Sequence, residues 1–411
     1  MINKDVVIIG GGAAGLAAAV ACREKGIEDI LIIERESALG GILKQCIHDG
    51  FGLIKFQHSY TGPEYAQKYV DQVEKQEIAY LLNSMVIDIT SQKVLTVVNK
   101  SGLKKYKAKS IILAMGCRER TRGAIGIPGT RPAGIYTAGV AQNLINIHNY
   151  MIGREVVILG SGDIGLIMAR RLMLEGATVK MVLELLPYGS GLPRNFNQCL
   201  SDYNIPLHLN HTVVDIKGNK RVEAITMAEV DPHGQAILST CQEVSCDTLL
   251  LSVGLIPENE LSKMAGMQLD PLTGGALVDE YGQTTVKGIF ACGNVLQVHD
   301  IVDNVSLEAE HIACGVEKHL SSFIKPKNDI AIEIGEGLRY VLPQRIRYLD
   351  DTVFSFRVKK PGKKKQIVFK NDHRIIKEQS FIRVNPAEMI RIKLTSSELA
   401  DIKHLKVELN S

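Results

Sequence analysis

Two short runs in this chain of 411 residues have the residue types and spacing to hold a pyrophosphate. The first is Gly10-Gly11-Gly12-Ala13-Ala14-Gly15, followed by Glu34, 24 positions after Gly10. The second is Gly160-Ser161-Gly162-Asp163-Ile164-Gly165, followed by Glu184 at the same distance from Gly160. In such a run the first glycine makes a tight turn and the second lets backbone approach a phosphate. The third allows a helix to pack closely on a strand. The helix that follows presents unpaired N–H groups and its positive dipole end to the anion. A carboxylate near twenty residues further on accepts hydrogen bonds from an adenosine ribose. Glu184 is followed by Leu185, Leu186 and Pro187, with no arginine to receive a 2′-phosphate, so the second run favours NAD over NADP. Two dinucleotides in one chain imply hydride exchange between them. That step depends on stacking geometry and needs no general base.

Each run sits between elements of the required kind. VVIIG leads into the first turn, LAAAVACREKG leaves it as a helix, and ILIIERE supplies the next strand. EVVILG, LIMARRLMLEG and TVKMVLE repeat that order around the second. Between them, helical sequence is expected at 62–77, strands over 80–98 and a strand at IILAMG (111–116). Beyond the second turn, LLLSVG (249–254) and GIFACGN (288–294) read as strands, and a long helix is expected over 303–323. The end of the chain alternates in short strands, FSFRV, QIVFK, FIRV and MIRIKL, with turns expected at PGKKK (361–365) and NDH. The expected fold is α/β: two Rossmann-like domains with a small C-terminal β domain. A first dinucleotide-binding domain is placed at 1–120 plus 245–328, a second, NAD-binding, at 121–244, and the β domain at 329–411.

Composition excludes several alternatives. The net charge is +3, but from Ala331 onward 17 Lys/Arg face 10 Asp/Glu, which marks the tail as a separate basic module. The lysines of PGKKK have no interleaved aromatic, so they read as a solvated turn and no nucleic-acid partner is expected. Eight scattered cysteines without a CxxC argue against a metal site or a secreted disulfide scaffold, and reduced thiols point to a cytoplasmic protein. The apolar run Val6–Cys22 is broken by four glycines after Asp5, which fits a buried strand–turn–helix better than a signal peptide or a membrane span.

In GGGAAG with Glu34, AMG at 114–116 and FACGN at 290–294, the chain resembles the two-dinucleotide-binding flavoproteins of the pyridine nucleotide–disulfide oxidoreductase superfamily. The segments GGILKQCIHDGFG (40–52), GCRERTRGAIGIPGTRPAGIYTAGVAQ (116–142) and ACGNVLQVHDIVDN (291–304) are similar to one branch of it. That branch holds the FAD/NAD-binding subunits of sarcosine and opine oxidases, hydrogen cyanide synthase, and proline or glycerol-3-phosphate dehydrogenase complexes. The resemblance implies FAD and NAD as cofactors, oxidoreductase activity, and electron transfer with a partner dehydrogenase subunit in a homo- or hetero-oligomer. It implies cofactor contacts at Gly10, Gly12, Ala14, Gly15, Glu34, Arg35, Gly41, Val86, Ala114, Gly116, Gly293, Asn294 and Val305. Further contacts fall on Gly160, Gly162, Asp163, Ile164, Gly165, Glu184 and Gly254. Asn294 stands where the superfamily usually has Asp. The helix after FACGN would direct its first N–H groups, near Asn304 and Val305, at the flavin.

Lys44, Cys46 and His48 follow Gly40-Gly41 and are the candidate catalytic side chains, with His299 a further flavin-side candidate. Cys46 has no second cysteine near it, so dithiol reduction is not expected. A single redox cysteine cycling through a sulfenic acid would make the chain a stand-alone NADH oxidase or peroxidase. A subunit that binds dinucleotides without doing chemistry is the other alternative.

Overall fold

The computed structural model describes residues 1–321, 328–372 and 374–410. It divides into two units, Met1–Cys117 with Pro257–Ser411, and Arg118–Ile256.

In the first unit Ile2–Ile9 is central, because Val6, Val7 and Ile8 are wholly buried and can serve only a strand covered on both faces. It pairs in parallel with Ile30–Ile33 on one side and Gly102–Leu113 on the other. Ala79–Leu81 extends one edge, and the antiparallel strands Val94–Asn99 and Met85–Ile89 extend the other. Ile289–Ala291 joins in parallel against Ile111–Leu113. The helix Ala13–Glu24 is buried on every side along the alanine-rich run Leu16 through Cys22, between the sheet and the long helix Val302–Ser321. Small side chains let those helices approach closely. The helix Gly62–Lys75 begins with a reciprocal capping box between Thr61 and Glu64. The expected extension of the long helix to Phe323 lies outside the described residues.

The second unit carries an all-parallel sheet ordered Leu207–Leu209, Thr178–Glu184, Glu155–Leu159, Thr248–Leu251, Ile135–Thr137. A smaller antiparallel sheet is made by His211–Gly218, Val222–Glu229 and Gln242–Ser245. The strand Thr248–Leu251 corrects the sequence reading: it is hydrogen-bonded to Glu155–Leu159, so the boundary expected at 245 falls inside this unit.

Among the described residues the chain ends in two small sheets wrapped on Phe354, Phe356 and Phe369. The basic run PGKKK is not a turn. Gly362–Asn371 is one strand, with Lys363 opposite Arg383 and Lys365 opposite Phe381. Asn371 is still in the strand, paired with Arg374, and His373 of the expected NDH turn lies outside the described residues. No helix of the described residues is long and apolar enough to cross a membrane.

Candidate functional site

Both glycine turns lie at the carboxyl ends of their parallel strands, where ligands bind in open α/β sheets. Gly10 has φ +103°, and a Cβ on it would lie 2.4 Å from the Ala114 carbonyl oxygen. Gly160 has φ +93°, and its Cβ would lie 2.1 Å from the Ser252 carbonyl oxygen. Neither position tolerates a side chain. The third glycines are as constrained, with Gly15 against the Gly10 carbonyl and Gly165 against Ser252. Ala114 and Ser252 are thus equivalent, each ending the strand beside its turn. Gly254 has φ +102° and its carbonyl accepts from Arg120 N–H, while Gly116 has φ +71° and its carbonyl accepts from Glu258 N–H.

The two carboxylates act alike. Gly11 N–H donates to Glu34 Oε2 at 2.6 Å and Ser161 N–H donates to Glu184 Oε2 at 3.0 Å, each across 23 residues. The other oxygens accept from Glu36 N at 2.8 Å and Leu186 N at 3.0 Å. Both side chains are buried. The carboxylates therefore tie the strand end to the glycine turn before any ribose arrives. The helices Ala13–Glu24 and Asp163–Leu174 start from Gly12 and Gly162, which have no side chain to cap them.

The first turn is open where a dinucleotide pyrophosphate would lie. A Cβ on Gly12 would meet only Gly41 Cα, at 3.8 Å, so glycine there serves no packing need inside the protein. The space is bounded by Gly41, whose segment is held back on the turn by Gly40 N–H donating to Gly11 O at 2.8 Å. Gly293 closes the same region, its would-be Cβ 2.8 Å from Ala14 Cβ and 3.3 Å from Val305 Cγ1. Asn294 Oδ1 accepts from His299 N–H at 3.0 Å, and its Nδ2 approaches Cys117 Sγ at 3.6 Å. Glu308 accepts from Gly293 N–H and Gln297 Nε2, each at 2.7 Å, and lies 3.4 Å from His299 Nε2. Burial works to raise the Glu308 pKa, but His299 and these hydrogen bonds outweigh it and hold the carboxyl below the usual range.

The remaining candidates make other contacts. Arg35 is exposed, 3.8 Å from Glu36. Val86 spends its side chain on the sheet core with Val7 and Ile33, leaving only backbone to offer a nucleotide. The His299 ring, 3% exposed, is turned to Glu308. Lys44 Nζ reaches the Ala38 carbonyl at 3.4 Å, and His48 lies 4.9 Å from the Phe51 ring. Cys46 Sγ donates to Ile42 O at 3.4 Å, and burial pushes its thiol up to about 12. None of the eight cysteines is in a disulfide. Sequence reasoning missed Ser252, Ser190, Gln297 and Glu308; only the Ser-Val-Gly after LLL, parallel to Ala-Met-Gly, could have signalled Ser252.

Residues 4–313 match the family described as pyridine nucleotide-disulphide oxidoreductase. The chain is 27% identical over 315 residues to an "NAD(P)H sulfur oxidoreductase (CoA-dependent)" of Pyrococcus abyssi, covering 73% of this chain and 64% of that one. It is 28% identical over 289 residues to the "Hydrogen cyanide synthase subunit HcnB" of Pseudomonas protegens, covering 65% and 60%. The chain thus spans less than two thirds of the length of these relatives. A thioredoxin reductase structure from T. acidophilum superposes with a TM-score of 0.64 at 23% identity, covering 79% of this chain and all of that one, a likeness of fold.

Proposed function

This chain belongs to the pyridine nucleotide-disulphide oxidoreductase family, whose members use FAD and NAD(P)H, and we propose that it exchanges hydride equivalents between NAD(H) and FAD and passes electrons to or from a partner dehydrogenase subunit. The observation that carries this reading is the pair of glycine turns braced by Glu34 and Glu184, with open space left beside Gly12.

FAD, when bound, supplies a ring able to exchange two electrons with a nicotinamide. The chain's residues bind and orient. Glu34 keeps a lone pair on each oxygen for ribose hydroxyls after its two backbone donors. Gly12 and Gly41 keep side chains out of the phosphate path. Glu308, by accepting from Gly293 N–H, fixes the loop that carries Asn294.

A partner is favoured because a relative is named as a subunit. The thiolate is the reactive form of cysteine, and burial leaves Cys46 with a minute fraction of it at neutral pH. Mixing purified, flavin-loaded protein anaerobically with NADH tests the reading. The flavin absorbance should bleach, and the native complex should co-purify with a dehydrogenase subunit. Absence of bleaching would refute hydride exchange, and a chain that purifies alone would refute the partner.

The likeness to the sulfur oxidoreductase favours a second reading, reduction of sulfur species at Cys46. Under it Cys46→Ser abolishes NADH-dependent polysulfide reduction; under the first reading flavin bleaching survives that change.

A further inference from the structure

The two turns are built alike, yet their carboxylates are not equally available. Among the described residues Glu34 takes one backbone donor on each oxygen. Glu184 takes the equivalent two, and Oε2 also accepts two hydroxyls, Ser161 Oγ at 2.5 Å and Ser190 Oγ at 2.7 Å. A carboxylate oxygen has two lone pairs, so three donors saturate it.

The segment bearing Ser190 is tied down on both sides. Ser190 N–H donates to Ser161 Oγ at 2.9 Å. Leu192 N–H and Asn195 Nδ2 both donate to Asp163 Oδ1, at 2.8 and 2.6 Å. Asp163 opens the helix that leaves the glycine turn. Between these anchors Gly191 is laid directly on the turn. A Cβ there would come within 2.8 Å of the Ser161 carbonyl oxygen, 2.8 Å of Leu166 Cδ1 and 3.0 Å of Asp163 Oδ1.

We propose that the segment 188–195 occupies the ribose subsite of the second turn, with the Ser190 hydroxyl standing in for a ribose hydroxyl, and that a dinucleotide enters by displacing it. This deepens the reading of the second turn as the nicotinamide dinucleotide site and rests on it. The exchange is donor for donor: a ribose hydroxyl gives Glu184 the hydrogen bond that Ser190 gives up. A 2′-phosphate brings only acceptors and negative charge, and cannot make that exchange. Ser190 and Glu184 together therefore select the unphosphorylated ribose.

A site that is self-occupied binds with an affinity reduced by the fraction of molecules in which it is open. Two changes open it by unrelated means. Ser190→Ala removes the competing hydroxyl, and Gly191→Ala prevents the segment from lying on the turn. Calorimetric titration of the flavin-loaded protein with NAD⁺ reads the result, with Glu184→Gln as reference. Both variants should lower the Kd by about five- to tenfold, while Glu184→Gln raises it. If Ser190→Ala and Gly191→Ala weaken binding although Glu184→Gln weakens it too, Ser190 is a contact to the ligand, and the displacement is refuted while the site stands. If NAD⁺ binds none of the proteins, or Glu184→Gln binds as the wild type does, the site itself is wrong and the inference falls with it.

Discussion

His299 Nε2 lies 3.4 Å from Glu308 Oε2, and the two side chains are 3% and 13% exposed. An ionised carboxylate so buried persists only where donors surround it. Here they are His299, Gln297 Nε2 and Gly293 N–H. The carboxyl is held below its ordinary value, so its stabilising contribution is present above the unfolded pKa and disappears as pH falls through the lower folded one. Glu308→Gln should cost about 2 kcal/mol at pH 7 and loosen flavin retention. Urea unfolding at pH 7 and at acid pH checks this: the gap between variant and wild type should narrow in acid.

Glu280 behaves in the opposite sense. Burial pushes it up to about 7 from 4.5, although Tyr348 and Arg347 backbone N–H groups pull the other way. The folded protein therefore binds a proton the unfolded chain has lost. Between about pH 4.5 and pH 7 this group makes stability decline as pH rises. Thermal midpoints across that window should fall more steeply for the wild type than for Glu280→Gln.

Gly12 and Gly15 separate binding from folding. A Cβ on Gly15 would sit 1.8 Å from the Gly10 carbonyl oxygen, so Gly15→Ala should fail to yield folded protein. Beside Gly12 there is room, so Gly12→Ala should fold, with circular dichroism unchanged, and purify with at least about tenfold less flavin, a loss of roughly 1.4 kcal/mol or more in binding.

Asp303 holds a loop 248 to 251 residues away in sequence. Its carboxylate accepts from Gly52, Ile54 and Lys55 N–H at 3.0, 3.1 and 2.7 Å. Asp303→Ala would leave three backbone donors without their acceptor, at about 2–4 kcal/mol. Amide exchange at residues 52–55 should accelerate in this variant while the sheet amides stay protected.

The turns and their carboxylates were legible because a strand–glycine–helix sequence has a fixed local grammar, and Glu34 and Glu184 fall at a fixed distance within it. The strands Ile2–Ile9 and Glu155–Leu159 announced themselves as β-branched runs for the same reason. Thr248–Leu251 was legible as a strand but not as a member of the second sheet, since TLLL would suit either parallel sheet. The bracing of Gly293 by Glu308 and the occupation of Glu184 by Ser190 left no periodic trace; such side chains meet only through the fold. The basic lysines of 363–365 read as a turn because charge and a nearby proline outweigh strand signals. In the protein, pairing with Phe381 and Arg383 prevails.

The strand Ile289–Ala291 takes its place beside Ile111–Leu113 only after residues 118–256 have been made. Translation proceeds at about 5–20 residues per second, so an entire second unit is made before the partner of residues 111–113 exists. Gly293 and the helix that follows reach the first glycine turn last of all. A chain truncated between residue 41 and the strand at 289 therefore keeps the first phosphate turn but lacks Gly293 and Val305 beside it.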